Sequence, residues 1–169
     1  MSPASWFDSF VQADRLLDSM PTPSGSLAHP AVASMLCNNF DWLRKRGWRI
    51  WTACIMPSHV HCVMRNTEGR GGSLLEDLGL FKNFTGREAN RLLGLQGSFW
   101  QREVFDRWCR NGEDWFRFFC YTVQNPVQAG AVQDWRNWPW TIVDPEVEAL
   151  LEGGMKFPPF LTQVYKQRF

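Results

Sequence analysis

Two β-favouring runs set back to back constrain this chain more than any other feature. Trp48 to Met56 (WRIWTACIM) has the length and the Trp, Ile and Thr content of a strand. Met56-Pro57-Ser58 breaks it, and His59 to Arg65 (HVHCVMR) continues as a second strand. Helical patterns flank the pair. From Pro30, suited to a first-turn position, Val32, Met35, Leu36, Phe40 and Leu43 follow a helical period that Gly47 stops. Ser73 and Glu76 form an S-x-x-E capping box that opens a helix to about Leu93, weakened by Gly79 and Gly86. Asn111 caps a further helix from about Gly112 to Gln124, which Pro126 and Gly130 end. This order predicts an α+β layer of helices on a small antiparallel sheet.

The ends are less patterned. Residues 1–20 mix Trp6, Phe7, Phe10 and Val11 with polar positions and read as a short amphipathic helix or an irregular lead-in. Ser98 to Arg110 is aromatic and basic without a clean period, and four of the ten prolines fall from Pro139 onward. A length of 169 residues suits one domain, with 44% hydrophobic and 21% charged residues as in an ordinary globular chain. Five scattered cysteines without a C-x-x-C pair argue against a zinc knuckle and a disulfide framework. No apolar run is long enough to span a membrane and no signal layout opens the chain, so the expected location is the cytoplasm. Net charge is only +1, but Lys82 to Arg110 holds six basic residues against three acidic ones. A second basic cluster, Arg44, Lys45, Arg46 and Arg49, precedes the His pair. Such clusters are commonly solvated faces, and two of them flanking a candidate site carry more weight than one.

The candidate chemistry starts at His59-Val60-His61. Residues two apart on a strand share a face, so both imidazoles project one way and Val60, Cys62 and Met64 the other. Two such imidazoles suit one divalent ion, although paired strand histidines are often plain hydrogen-bonded surface residues. Tyr121 and Asn125, one helical turn apart, share a face that Arg117 extends, while Phe116, Phe119, Cys120 and Val123 supply an apolar side. Each feature has a bland reading: a helix-capping Asn, a boundary Tyr. Together they fit one design. A phosphodiester repels nucleophiles, and a cation on its oxygen relieves that charge. Two neutral imidazoles and a neutral amide leave the ion's charge uncompensated. A phenol titrates near pH ~10 and needs nearby positive charge to act at neutral pH. A tyrosyl phosphodiester keeps the bond energy of the cut strand, so joining needs no nucleotide cofactor.

Met56-Pro57-Ser58-His59-Val60-His61-Cys62-Val63 resembles the His-hydrophobic-His strand of HUH endonucleases, in the form used by single-tyrosine transposases. Phe99-Trp100-Gln101-Arg102-Glu103, Phe105-Asp106-Arg107, Arg110-Asn111 and the run from Tyr121 to Val132 look like the REP-associated tyrosine transposase group. Lys82, Phe84-Thr85 and Trp138-Pro139-Trp140 add to the likeness, which spans roughly residues 30–142.

The resemblance implies a ferredoxin-like antiparallel sheet with helices on one face. It implies Tyr121 as nucleophile and His59, His61 and Asn125 as ligands of Mg²⁺ or Mn²⁺. The implied activity is that of an HUH-type nuclease and ligase: metal-dependent cleavage and transfer of single-stranded DNA through a 5′-phosphotyrosine. The implied substrate is a DNA hairpin with a neighbouring unpaired tetranucleotide, and the implied protein is a monomer or homodimer associated with the nucleoid. Lys82, Arg87, Arg102, Arg110 and Arg117 are candidate DNA contacts, and Trp100 a candidate stacking residue or core residue.

The expected organisation is a lead-in over 1–28, the transposase-like domain over 29–142 and a tail over 143–169. Relatives begin with a strand beside the His strand, and here it reads as missing, or degraded within Ser5 to Val11. A sheet short of that member would support the metal site less well. This favours the alternative of a domesticated, catalytically weak hairpin-binding relative.

Overall fold

The computed structural model describes residues 10–18, 26–67, 73–102 and 107–152. The two central β runs form β2 (Trp48–Ile55) and β3 (His59–Asn66), joined by a turn in which Met56 N–H donates to the His59 carbonyl at 2.8 Å. Around them lie β1 (Phe10–Asp18), β4 (Arg107–Trp108) and β5 (Thr141–Val143). The sheet order is β4-β1-β3-β2-β5, with every pairing antiparallel. The His strand is therefore the centre of the sheet.

The first strand, expected to be missing or degraded within Ser5 to Val11, is present over Phe10–Asp18. β1 pairs with β3 from Phe10↔Arg65 to Asp18↔His59 and is neither a helix nor an irregular lead-in. Its sequence, FVQADRLLD, hides this for a physical reason. Between Ala13↔Cys62 and Leu17↔Val60, β1 advances four residues while β3 advances two, so an irregularity breaks the period-two pattern. Backbone pairing to β3 on one side and to β4 on the other replaces intrinsic strand propensity. The sheet thus draws on residues before position 29 and, through Val143, beyond 142. Residues 68–72, the 103–106 segment and the tail past 152 lie outside the described residues.

Helices cover both faces of the sheet, not one. On one face α1 (Pro30–Lys45) and α2 (Leu74–Leu93) enclose a core with Leu36, Phe40, Leu43, Leu78 and Phe81. Ile50, Val60, Cys62 and Met64 supply the sheet side of that core. On the other face α3 (Gly112–Gln128) and α4 (Pro145–Glu152) pack Phe119, Cys120, Val123, Val147 and Leu151 against Trp51 and Val63. A bulge in β2 between Ile50 and Thr52 lets Ile50 and Ala53 face the first core while Trp51 faces the second.

α2 begins with the expected capping box: Glu76 N–H donates to Ser73 Oγ at 3.2 Å and Ser73 N–H to Glu76 Oε2 at 3.3 Å. α3 begins at Asn111, whose Oδ1 accepts from Asp114 N–H at 2.9 Å. It does not stop at Gln124. Pro126 lies inside the helix, which runs on to Gln128. Proline lacks the N–H for the Thr122 carbonyl, a local loss that burial of Val123 and Pro126 offsets. Of the four expected core residues of α3, Phe119, Cys120 and Val123 are buried and Phe116 is half-buried. Phe119→Ala should cost about 3–5 kcal/mol through the cavity it leaves, lowering Tm by roughly 10 °C. Thermal unfolding followed by circular dichroism checks this; an unchanged Tm would contradict the packing of α3 on the sheet.

Candidate active site

Strand alternation and helix phase together build the site. Val60, Cys62 and Met64 point into the α1/α2 core, which turns His59 and His61 towards α3. Their rings meet nearly edge-on, 4.6 Å between centroids and 86° between planes. From above, α3 brings Tyr121 and Asn125 down one turn apart. The Tyr121 ring stands 5.1 Å from that of His61 at 85°. Asn125 Nδ2 lies 3.0 Å from His61 Nε2. His61 is 1% exposed and Asn125 7%. Four residues from two elements, up to 66 positions apart in sequence, thus share one cluster.

Ser58 is a further member that sequence reasoning did not single out as a site residue. Its Oγ lies 3.0 Å from His59 Nδ1. With Nδ1–H donating to Ser58, the Nε2 lone pair would be left for a ligand role. The signal was present as a short hydroxyl residue directly before the His strand.

The thiols near the cluster are held protonated. Burial pushes the neighbouring Cys120 thiol up to about 12, and Cys109 likewise to about 12. Among the described residues no group of three or more His, Cys, Asp or Glu gathers at one point.

The other candidate contacts divide into two groups. Arg110, just before α3, meets Asp114 through its backbone, and Arg117, within α3, through its side chain. Arg110 N–H donates to Asp114 Oδ2 at 3.2 Å, and the Arg117 guanidinium pairs with Asp114 Oδ1 while lying over the Phe118 ring. Lys82, Arg87 and Arg102 line a groove of about 580 Å³ between α2 and the 97–102 segment. Lys82 is not a free surface cation: its Nζ donates to the carbonyls of Gln101 at 2.5 Å and Arg102 at 3.2 Å. Partial burial pushes its pKa down. Arg87 and Arg102 are exposed. Trp100 departs from the stacking role. It is 5% exposed in the core, and its Nε1 donates to Thr85 Oγ1 at 3.0 Å. Among the described residues the exposed indole is instead Trp108, 59% exposed on the edge strand β4. Nothing in a sequence with ten Trp residues distinguishes it, because a two-residue strand leaves no period to read.

An antiparallel α+β sheet with a histidine pair on its centre strand, under a helix bearing Tyr and Asn, has the fold of a tyrosine transposase. The solved structure of a REP-associated tyrosine transposase bound to a REP hairpin matches with a TM-score of 0.60. That match covers 78% of this chain and 73% of the other, at 21% identity. In sequence the chain is similar to proteins named as REP-associated tyrosine transposases. The Escherichia coli K12 protein of that name is 27% identical over 104 residues, 62% of this chain and 59% of its own. A Haemophilus influenzae Rd protein, provisionally given the same name, is 26% identical over 104 residues, 57% of this chain and 59% of its own. The matched region spans about three fifths of the length of these curated relatives. No protein-family model matches the chain. Among the described residues no helix is long and apolar enough to cross a membrane.

Proposed function

We propose that this protein binds DNA hairpins and cuts and rejoins single-stranded DNA beside them, with Tyr121 as the nucleophile. The observation that carries this is the convergence of His59, His61, Tyr121 and Asn125 from β3 and α3 into one cluster. The kinship with proteins named as REP-associated tyrosine transposases, one of them solved on a REP hairpin, supports the substrate class.

His59, His61 and Asn125 would hold a divalent ion. Two ligand atoms that share one small divalent ion come within about 3 Å of each other. His61 Nε2 and the Asn125 amide have that separation, and a half-turn of the amide exchanges its nitrogen for its oxygen. Bound there, Mg²⁺ or Mn²⁺ would supply Lewis-acid stabilisation of charge on a phosphate oxygen, with Mn²⁺ the better match to nitrogen ligands.

The chain's own residues do the rest. The Tyr121 oxygen attacks phosphorus, a P–O bond forms, and the bond to the 3′ oxygen of the preceding nucleotide breaks. The phenol proton is lost to solvent and the departing 3′ oxygen takes one up. The products are a 5′-phosphotyrosine and a free 3′-hydroxyl, which reverses the step by attacking the same phosphorus. The rigid sheet holds His61, and the buried face of α3 holds Tyr121 at a fixed distance from it, so orientation is built in before substrate arrives. The missing first strand was the feature favouring a binding-only relative, and β1 removes it.

The test is incubation of labelled single-stranded hairpins with the protein and Mn²⁺, resolved on a denaturing gel for a covalent adduct. A further outcome follows from Lys82. A lysine on a phosphate contributes about 0.7–0.9 to the slope of log affinity against log salt. Lys82 holds two carbonyls, so Lys82→Gln should lower hairpin affinity while leaving that slope unchanged. Arg102→Gln should reduce the slope. Titrations across salt concentrations separate the two.

A further inference from the structure

We infer that the outer face of α2 docks on the same face of a second copy of this chain, the two helices running antiparallel about a two-fold axis near Lys82. Glu76, Leu80, Asn83, Phe84 and Arg87 form that face, all exposed and recurring turn by turn along the helix. The opposite side of α2 carries the buried Leu78, Phe81, Thr85 and Ala89. Leu80 and Phe84 are each 50% exposed in the middle of the outer stripe, where a solvated helix would carry polar residues. Beside them a cavity of about 370 Å³ opens between α1 and α2, with Trp42, Leu80, Phe81 and Phe84 as its apolar lining. Among the described residues this lining holds one cation, Arg87, and no carboxylate.

The order of charges along the stripe selects the partner. It runs from acidic Glu76 through apolar Leu80 and Phe84 to basic Arg87. An antiparallel second copy sets Glu76 against Arg87 at both ends and Leu80 against Phe84 twice between them. A parallel copy would oppose Glu76 to Glu76 and Arg87 to Arg87, and like charges in register repel. A polyanion would use Arg87 and be repelled by Glu76. The axis this pairing requires falls near Lys82, close to the midpoint of Leu74–Leu93, so the helices overlap along nearly their whole length. Ridge and hollow also share one surface, as a two-fold interface needs, because each copy offers the same patch. Both charged groups are already aligned on the helix. Glu76 Oε2 accepts from Ser73 N–H at 3.3 Å, and Arg87 Nε donates to the Asn83 carbonyl at 3.2 Å. The histidine pair and Tyr121 face α3 on the other side of the sheet, so both copies keep their candidate active sites open.

The experiment is sedimentation velocity of the full chain, without DNA, from low to high micromolar concentration. The wild type should shift from monomer to dimer as concentration rises. Phe84→Asp should weaken the dimer by at least about thirtyfold, the scale of losing a central anchor. Its circular dichroism should match the wild type, because the ring is half exposed. Arg87→Glu and Glu76→Arg should each weaken the dimer about tenfold by opposing like charges. Ser73 Oγ still accepts the backbone N–H at position 76 in the latter, so the helix keeps its cap. An equal mixture of these two variants should recover dimer, since one copy then presents two acids and the other two bases. A folding defect in either variant would not produce that recovery. A wild type that stays monomeric, or a mixture that assembles no better than its components, would overturn the inference. Loss of hairpin affinity in Phe84→Asp with self-association intact would overturn it in favour of a nucleic-acid contact.

Discussion

Tyr121→Phe is expected to abolish the covalent protein–DNA adduct and to lower strand cleavage by at least about 10⁴-fold, the scale seen when a nucleophile is removed. The replacement keeps the ring that stands 5.1 Å from His61 and the packing of Tyr121 against the second core. Its cost in stability is about 1 kcal/mol, the usual net worth of a single hydrogen bond. Hairpin affinity should therefore change by less than about tenfold. Added Mn²⁺ should not restore activity, because no metal supplies the missing oxygen on carbon. Tyr165, the only other tyrosine, lies outside the described residues, and its Phe variant should form adduct at the normal rate. Mass spectrometry of the wild-type adduct should map to Tyr121. An adduct surviving in Tyr121→Phe, or mapped to another residue, would remove the mechanism and leave the fold.

His61→Ala should also end cleavage, by a different route. The ring is 1% exposed and touches His59, Tyr121 and Asn125, so truncation opens a hole and strips the buried Asn125 amide of a partner. That loss is worth about 1–3 kcal/mol. The decisive reading is metal linkage. An ion bound only by the folded protein stabilises it by about 2.7 kcal/mol at a hundredfold excess over its dissociation constant. Wild type should therefore melt several degrees higher in Mn²⁺, while His61→Ala and Asn125→Ala should show no such shift. Ser58→Ala should retain the shift but require about 10–100-fold more Mn²⁺, because it removes the hydrogen bond that orients His59. Equal shifts in wild type and His61→Ala would place any ion elsewhere. Tyr121→Phe should keep the full shift, which separates loss of the nucleophile from loss of the ion.

Much of this protein was legible locally. The capping box at Ser73 and Glu76, the Asn111 cap and the Pro30 start are chemistry within a few residues, and each fixes a helix end. His59 and His61 share a face because strand period is two, and Tyr121 and Asn125 share one because helix period is 3.6. Sequence therefore determined which side chains travel together on each element.

Tertiary structure decided what no local period encodes. β1 exists because β3 and β4 offer it backbone partners, and its irregular register erases the alternation that would announce it. Helices cover both faces because the β2 bulge and the β3 alternation leave apolar side chains on each. α3 passes through Pro126 because burial outweighs one lost hydrogen bond. Lys82 became a brace and Trp100 a core residue because the 97–102 segment folds back on α2. Residue type sets what a side chain can bond to, and only the chain's return through space sets which partner is within reach.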